Sequence, residues 1–354
     1  MTTCRTSLLP VAGWIIGGLA CVTALAATPA SIATTAASVA VKPDPHALLG
    51  DYARPTKVPG NKANPTTPEK VALGQQLFFD PRLSGSGAIS CASCHNPALS
   101  WQDGLAKGIG NMGTHLARHS PTIVDLAWGG PYFWDGRAET LEDQAKGPMT
   151  SEKEMAMSVD TALPRLKAIK GYVDEFNKAF PGEGISLDTI AKAMAAYERT
   201  VVSSEAPFDR YVAGDEAAIS ESAKRGFVLF NGKANCAACH VGWRMTDDGF
   251  HDIGIADDDH GRAGVVQGIV QLDHAFKTPT LRNVALRAPY MHDGSASTLA
   301  DVVDHYDHGF VKRASLDGEI HPLELAPSEK ADLLAFLDTL TSQDPGVVVP
   351  VLPQ

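Results

Sequence analysis

The chain has 354 residues, of which 44% are hydrophobic, and its formal net charge is −11. This hydrophobic content is enough for one large folded domain or two smaller ones. The negative charge argues against binding to nucleic acid through its phosphates.

The N-terminal segment has the pattern of an export signal. Arg5 supplies a positive charge, Val11 to Leu25 is a mostly apolar stretch without charge, and Ala24-Leu25-Ala26 has the A-x-A form of a cleavage site. We therefore expect residues 1–26 to be a signal peptide. The alternative is an uncleaved anchor, because the apolar run nearly reaches the length that spans a membrane.

Beyond this leader the sequence predicts a mainly α-helical protein. Residues 27–66 are rich in Ala, Thr, Pro and Ser, which is typical of a linker and N-terminal arm. Helical periodicity is clear from Leu187 to Val201 and from Ser328 to Thr341, whereas strand alternation is scarce. A boundary near Gly214 divides the rest into residues 67–214 and 215–345, with a tail at 346–354.

Two segments repeat one theme, which indicates an internal duplication. In each, a G-x-x-L-F pattern on an apolar helix face precedes C-x-x-C-H. The first copy is Leu73–Phe79 followed by Cys91–His95, and the second is Arg225–Phe230 followed by Cys236–His240.

The C-x-x-C-H pattern is the attachment motif of c-type haem, with the histidine as the proximal iron ligand. A single C-x-x-C also suits zinc or a redox disulfide, but two copies that both end in His favour haem. The other cysteines, Cys4 and Cys21, lie in the leader. We therefore expect two covalent haem c groups, the first held by Cys91, Cys94 and His95, and the second by Cys236, Cys239 and His240.

Two longer stretches carry a family resemblance. One is Phe133-Trp134-Asp135-Gly136-Arg137-Ala138, with Gln144, Pro148 and Glu154-Met155 downstream; the other is Lys277–Asn283 followed by Pro289–Gly294. They resemble the bacterial dihaem cytochrome c peroxidases and MauG, over about residues 66 to 341. The resemblance implies two cytochrome domains packed around a dihaem interface, with long loops, in the periplasm.

The resemblance also implies roles for individual residues. Trp134 matches the tryptophan that carries electrons between the haems. Gln144, Pro148 and Glu154 match the pocket above the first haem, where peroxide reacts. Glu154 would move the peroxide proton and Gln144 would orient the peroxide. The alternative for Glu154, taken alone, is a solvated surface carboxylate.

Three departures from the family pattern affect the ligands. His119 stands where the family has a calcium-binding asparagine, and imidazole is a poor ligand for this hard cation. This substitution argues against a calcium site, although backbone carbonyls near Arg287 and Pro289 could still contribute ligands. His115 is the better candidate for a gating ligand of haem one, against the alternative of an exposed loop histidine. We expect haem one to be open.

The third departure concerns the sixth ligand of haem two. Tyr306 lies where MauG-like proteins carry an axial tyrosine, whereas the peroxidases use methionine. Met291, His305 and His308 are the alternatives. A phenolate stabilises high oxidation states of iron, while a thioether raises the potential and suits an electron relay.

Three functions follow from these assignments. The first is a MauG-like oxidoreductase that activates hydrogen peroxide at open haem one, stores an oxidising equivalent at haem two and oxidises aromatic side chains of a partner protein. The second is a cytochrome c peroxidase that reduces peroxide with electrons from a small cytochrome c or a cupredoxin. The third is a dihaem electron carrier, which would have no need of Glu154 or Gln144.

Overall fold

Helices make up nearly all the regular structure of residues 48–354, the part of the chain that the computed structural model describes. The predicted signal peptide and the first part of the predicted arm lie outside these residues. In chain order the α-helices are α1 (Pro68–Phe79), α2 (Cys91–Cys94), α3 (Leu141–Thr150), α4 (Val159–Lys167), α5 (Lys170–Ala179), α6 (Leu187–Glu198), α7 (Pro207–Val212), α8 (Glu221–Asn231), α9 (Leu299–Asp304) and α10 (Pro327–Asp338).

The rest of the regular structure is short. Strands β1 (Phe250–His251) and β2 (Phe276–Lys277) pair antiparallel, with Phe250 opposite Lys277. A single π-helical turn, His305–Gly309, continues α9. The predicted mainly α fold with little strand is confirmed.

Helices α6 and α10 begin within one residue of their predicted starts and end three residues before their predicted ends. The early end has the same cause in both helices. The backbone N–H groups of Thr200 and Val201 bond to carbonyls three residues back, and Leu340 and Thr341 do likewise. Each helix therefore tightens into a 3₁₀-type turn, which apolar periodicity does not reveal.

The duplicated G-x-x-L-F segments occupy equivalent places in the fold. Helix α1 packs on α6, and helix α8 packs on α10. The two glycines lie at these crossings, because a Cβ on Gly74 would stand 2.0 Å from the carbonyl oxygen of Ala193, and one on Gly226 would stand 1.9 Å from that of Asp332. Only a residue without a side chain lets the backbones approach so closely.

Two apolar cores lie under these helix pairs. Leu73, Leu77 and Met194 belong to the core formed by the first half of the chain. The core of the second half is more aromatic and contains Phe208, Phe227, Phe230 and Phe336. The described part of the predicted arm contacts both halves, since Tyr52 packs on Phe208 and Phe227 while Asn64 donates to Glu142 and the carbonyl of Lys192.

Within residues 48–354, no helix combines the length and the apolar character needed to cross a bilayer.

Replacing Gly226 by Ala should destabilise the protein, because the new methyl group overlaps the carbonyl of Asp332. The cost expected for overpacking is about 1–3 kcal/mol, which lowers the unfolding midpoint by several degrees. Thermal unfolding of the haem-loaded protein measures it. Gly318→Ala is the control, since a Cβ there meets nothing within 4 Å, and equal midpoints for the two variants would contradict the expectation.

Candidate active site

A single cavity of about 720 Å³ brings both C-x-x-C-H motifs together. The first motif reaches it from helix α2, at whose start the hydroxyl of Ser93 accepts the N–H of Ser90. The second reaches it from a 3₁₀ turn, Cys236–Ala238. Most of the accessible wall is apolar, and its lining includes Cys91, Cys94, His95, Cys236, Cys239 and His240.

Both motif histidines are held by the same kind of hydrogen bond. Nδ1 of His95 lies 3.2 Å from the carbonyl oxygen of Trp101, and Nδ1 of His240 lies 2.9 Å from that of Met245. A carbonyl only accepts, so each Nδ1 carries the proton and each Nε2 keeps its lone pair. Burial lowers the pKa of both rings, which keeps them neutral. Neutral imidazoles with a free Nε2 are what a metal ligand requires.

Other features of the cavity also fit haem. The four cysteines are free thiols, so none is consumed by a disulfide within the described chain. Arg287 is a buried cation in the cavity wall whose pKa burial lowers to about 10. No carboxylate of the described residues forms an ion pair with it, and its guanidinium donates to the carbonyl of Thr280. A buried unpaired cation suits an anionic group such as a haem propionate.

The pocket above the first motif is built by α3 and the turn that follows it. Gln144 and Pro148 are four residues apart, so they share one face of the helix, and both line the cavity. The chain then turns through Ser151, whose carbonyl accepts the N–H of Glu154, and Glu154 also lines the cavity. Glu152, two residues earlier, is exposed and does not line the cavity.

Trp134 lies in the cavity wall and is tied to the second half of the chain. Its Nε1–H donates to the carbonyl of His119 at 2.8 Å, and the N–H of His119 donates to the carbonyl of His292 at 2.7 Å. The ring of His119 donates from Nδ1 to the carbonyl of Leu105, so this nitrogen is not available to a cation. His115 is exposed and does not line the cavity, which agrees with the exposed-loop alternative.

The structure reveals a second repeat. Residues 131–148 match residues 289–306 position by position, with Pro, Tyr, Asp, Gly, Ala, Thr, Leu and Asp identical in both copies. The backbones agree as well: Tyr132 bridges Ala138 as Tyr290 bridges Ala296, and Thr140 caps α3 as Thr298 caps α9. In this match Tyr306 takes the place of Pro148.

Tyr306 therefore stands in the pocket of the second motif where Pro148 stands in the first. It lies in the π-helical turn, lines the cavity and packs on the second core beside Cys236. Burial, and then the nearby cysteine thiols, raise the pKa of its phenol. A phenolate at this position consequently needs a bound cation to stabilise it.

The alternative ligands differ in their surroundings. His305 uses Nε2 for a 2.8 Å bond to the carbonyl of Ile253, and His308 is exposed beside Asp307. Met291 also lines the cavity, at the position of Phe133 in the repeat, and both have left-handed backbone with φ of 72° and 70°. Among the described residues, the Tyr306 hydroxyl has no hydrogen-bond partner.

Glu198 is a cavity residue that sequence reasoning missed. It ends α6, is 5% exposed, and its Oε2 has no partner among the described residues. Burial raises its pKa to about 8, with a further contribution from Glu142 that Arg199 opposes. The apolar pattern of α6 could have signalled it, because the residue falls on a helix that is buried on nearly every face.

Comparisons with known proteins agree with this architecture. The family model described as di-haem cytochrome c peroxidase matches residues 68–217, and the cytochrome c model matches residues 223–341. Methylamine utilization protein MauG of Methylorubrum extorquens is 50% identical over 336 residues, which cover 94% of this chain and 95% of that protein. The chain belongs to the dihaem cytochrome c peroxidase and MauG family.

Two further comparisons concern a peroxidase of this family and a solved structure of a MauG-like protein. Cytochrome c551 peroxidase of Pseudomonas aeruginosa is 35% identical, with 84% of this chain and 86% of that protein covered. The crystal structure of a MauG-like protein associated with microbial copper homeostasis superposes with a TM-score of 0.76 at 35% identity, and covers 82% of this chain and 95% of that one.

Membership in the dihaem peroxidase and MauG family confirms the predicted family, the two cytochrome c-type domains and the two covalently bound haem c groups. The protein is a peroxide-dependent dihaem oxidoreductase.

Intact-protein mass spectrometry should find two haem additions on the purified chain. Replacing Cys236 and Cys239 together by Ala should remove one addition and keep the other, because thioether attachment needs those thiols. The Cys91/Cys94 double variant should give the reciprocal loss. Retention of two haems in either double variant would contradict the assignment.

Proposed function

We propose that this chain uses hydrogen peroxide to oxidise aromatic side chains of a separate exported protein, in the manner of MauG. The observation that carries the proposal is Tyr306. Tyr306 lines the cavity at the repeat position that corresponds to Pro148, and no hydrogen bond from the described residues competes for its oxygen, which supports a role as the ligand of the second haem. The 50% identity to a MauG protein over nearly the whole chain supports the same role.

The identity of this ligand separates the two candidate activities. A phenolate is anionic and stabilises iron above the ferric state, whereas a methionine thioether is neutral and favours the reduced state. When bound, two haems together supply the storage of two oxidising equivalents. An anionic ligand on the second haem therefore favours the oxidation of a substrate that gives up electrons with difficulty, such as a protein aromatic ring. It is less suited to relaying electrons from a donor protein.

The site residues receive their roles within this proposal. Cys91, Cys94, Cys236 and Cys239 would attach the haems, while His95, His240 and Tyr306 would bind the haem irons. Gln144 orients peroxide from α3. Glu154 accepts a proton from one peroxide oxygen and returns it to the other, so that this oxygen leaves as water when the O–O bond breaks. Pro148 has no group that can bind iron, and this keeps the first pocket open.

Trp134 is proposed to carry electrons between the two haem pockets. Its indole lies in the wall of the cavity that both motifs line, and it is fixed by the bond to His119. The proposed location is the periplasm, on the basis of the predicted signal peptide and the c-type motifs. The partner is an exported protein that carries the aromatic side chain to be oxidised.

The second candidate is a cytochrome c peroxidase that accepts electrons from a small cytochrome c or a cupredoxin. The relationship to cytochrome c551 peroxidase over most of both chains favours it. In this case Met291, which also lines the cavity, would serve as the sixth ligand of the second haem.

Glu154→Gln should keep both haems but slow the reaction with peroxide by about a hundredfold or more, which is the usual contribution of acid–base catalysis. Stopped-flow mixing of the ferric protein with peroxide measures this rate. Glu152→Gln is the matched control, since it removes the same charge two residues away from an exposed position. Equal rates in the two variants would remove Glu154 from the mechanism.

Tyr306→Met and Tyr306→His should each keep a six-coordinate second haem. If Tyr306 binds the second haem, peroxide should convert the wild type to a long-lived state two electrons above the ferric protein, and both variants should lack that state, because neither neutral ligand replaces the phenolate. Near-infrared and Mössbauer spectra after peroxide addition measure that state.

Tyr52→Phe is the control for the loss of a tyrosine hydroxyl, because Tyr52 lies in the same core but bonds to Asn231. It should behave as the wild type. Wild-type spectra of His/Met ligation, together with fast steady-state oxidation of a reduced cytochrome c, would instead establish the peroxidase function.

A further inference from the structure

A cluster of metal-binding side chains lies outside the haem cavity, on the loop between β1 and β2. His260, Asp273 and His274 each offer one ligand atom, and these atoms lie within 4.8 Å of one another. Nδ1 of His260 is 2.7 Å from Oδ1 of Asp273, and Nε2 of His274 is 3.8 Å from Oδ2 of the same carboxylate. None of the three residues lines the haem cavity.

The backbone of the loop brings these residues together. The N–H of His274 donates to the carbonyl of His260 at 3.2 Å, and the N–H of Arg262 donates to the carbonyl of Ala275 at 2.8 Å. His274 has left-handed backbone with φ of 54°. A non-glycine residue adopts this conformation at a cost, so the surrounding contacts must hold it there.

A strong ion pair anchors the same loop to the first half of the chain. Asp259, next to His260, accepts two hydrogen bonds from Arg118, at 2.7 and 2.9 Å. Such a bidentate pair fixes geometry as well as charge. One edge of the cluster is therefore held in place before any ligand binds.

His274 adds a second observation that points to a ligand. Its side chain is 15% exposed, and its Nδ1 is buried without a hydrogen-bond partner among the described residues. The nearest carboxylate oxygen, Oδ1 of Asp257, is 3.9 Å away, and Asp257 is itself held by Nε2 of His292. A metal on Nε2 would leave a proton on Nδ1, directed at this carboxylate. Metal-binding histidines commonly have such an outer carboxylate partner.

We propose that His260, Asp273 and His274 bind one divalent transition-metal ion, Zn²⁺ or Cu²⁺, with water completing the coordination. Two imidazoles and a carboxylate suit these ions, whereas calcium and magnesium prefer oxygen ligands alone. Metal–ligand bonds of about 2.0–2.2 Å place neighbouring ligand atoms roughly 3.3 Å apart. His260 is exposed, so its ring can rotate to the distance that a shared ion requires.

Isothermal titration of the haem-loaded protein, prepared without a polyhistidine tag, with zinc chloride tests the proposal. We expect one zinc ion per chain. His260→Ala and His274→Ala should each weaken binding by more than about tenfold, since loss of even an outer partner costs that much. His115→Ala is the matched control, because it removes an exposed imidazole that belongs to no such cluster, and it should bind zinc as the wild type does.

Two further measurements separate ligation from general damage. Unchanged haem absorption spectra should show that the variants are folded, and Asp273→Asn should weaken zinc binding without removing an imidazole. Copper added in place of zinc should give an electron paramagnetic resonance signal with coupling to two imidazole nitrogens. Zinc affinity that is the same in the wild type and both histidine variants, or no binding at all, would overturn the proposal.

Discussion

The hydrogen bonds from Nδ1 of His95 and His240 to main-chain carbonyls are the constraint on which the site depends. Each bond fixes the tautomer and the plane of the ring, and so fixes where Nε2 points. The acceptor residues, Trp101 and Met245, are both buried with left-handed backbone, at φ of 65° and 54°. Each half of the chain thus accepts local backbone strain to turn one carbonyl toward its histidine.

One scaffold serves two chemically different pockets because the duplication leaves a few positions free to diverge. The glycine at each helix crossing and the capping threonine of α3 and α9 are retained, since these determine where the backbone runs. Pro148 and Tyr306 occupy one position of the repeat but differ completely in chemistry. Of the two copies of the repeat, only the one that contains Tyr306 ends in a π-helical turn. This turn shifts the register of the side chains that follow it.

The sequence predicted the parts of this site that rest on short, fixed spacings. The C-x-x-C-H motifs, the G-x-x-L-F helices and the mainly α fold belong to this class. The carbonyl acceptors were not predictable, because Trp101 follows its histidine by six residues and Met245 by five, with unrelated side chains. The position of Glu198 in the cavity was not predicted either, since a glutamate at the end of a helix is ordinarily solvated. The match of residues 131–148 to residues 289–306 could be found from sequence identity alone. The backbone was needed to show that Tyr306 occupies the place of Pro148 in the fold.

The surroundings of Trp134 bear on how it could act as a relay. Its N–H donates to a peptide carbonyl, which is too weak a base to remove the proton from an oxidised indole. If Trp134 lost an electron, the oxidised indole would therefore keep its N–H proton. It would regain the electron without a proton-transfer step. The carbonyl of Trp134 accepts the N–H of Lys277 from the second half, whereas its ring N–H is held by the carbonyl of His119 in the first half. These bonds hold the indole at a fixed position in the wall of the cavity that both motifs line, and a fixed position matters because electron transfer depends steeply on distance.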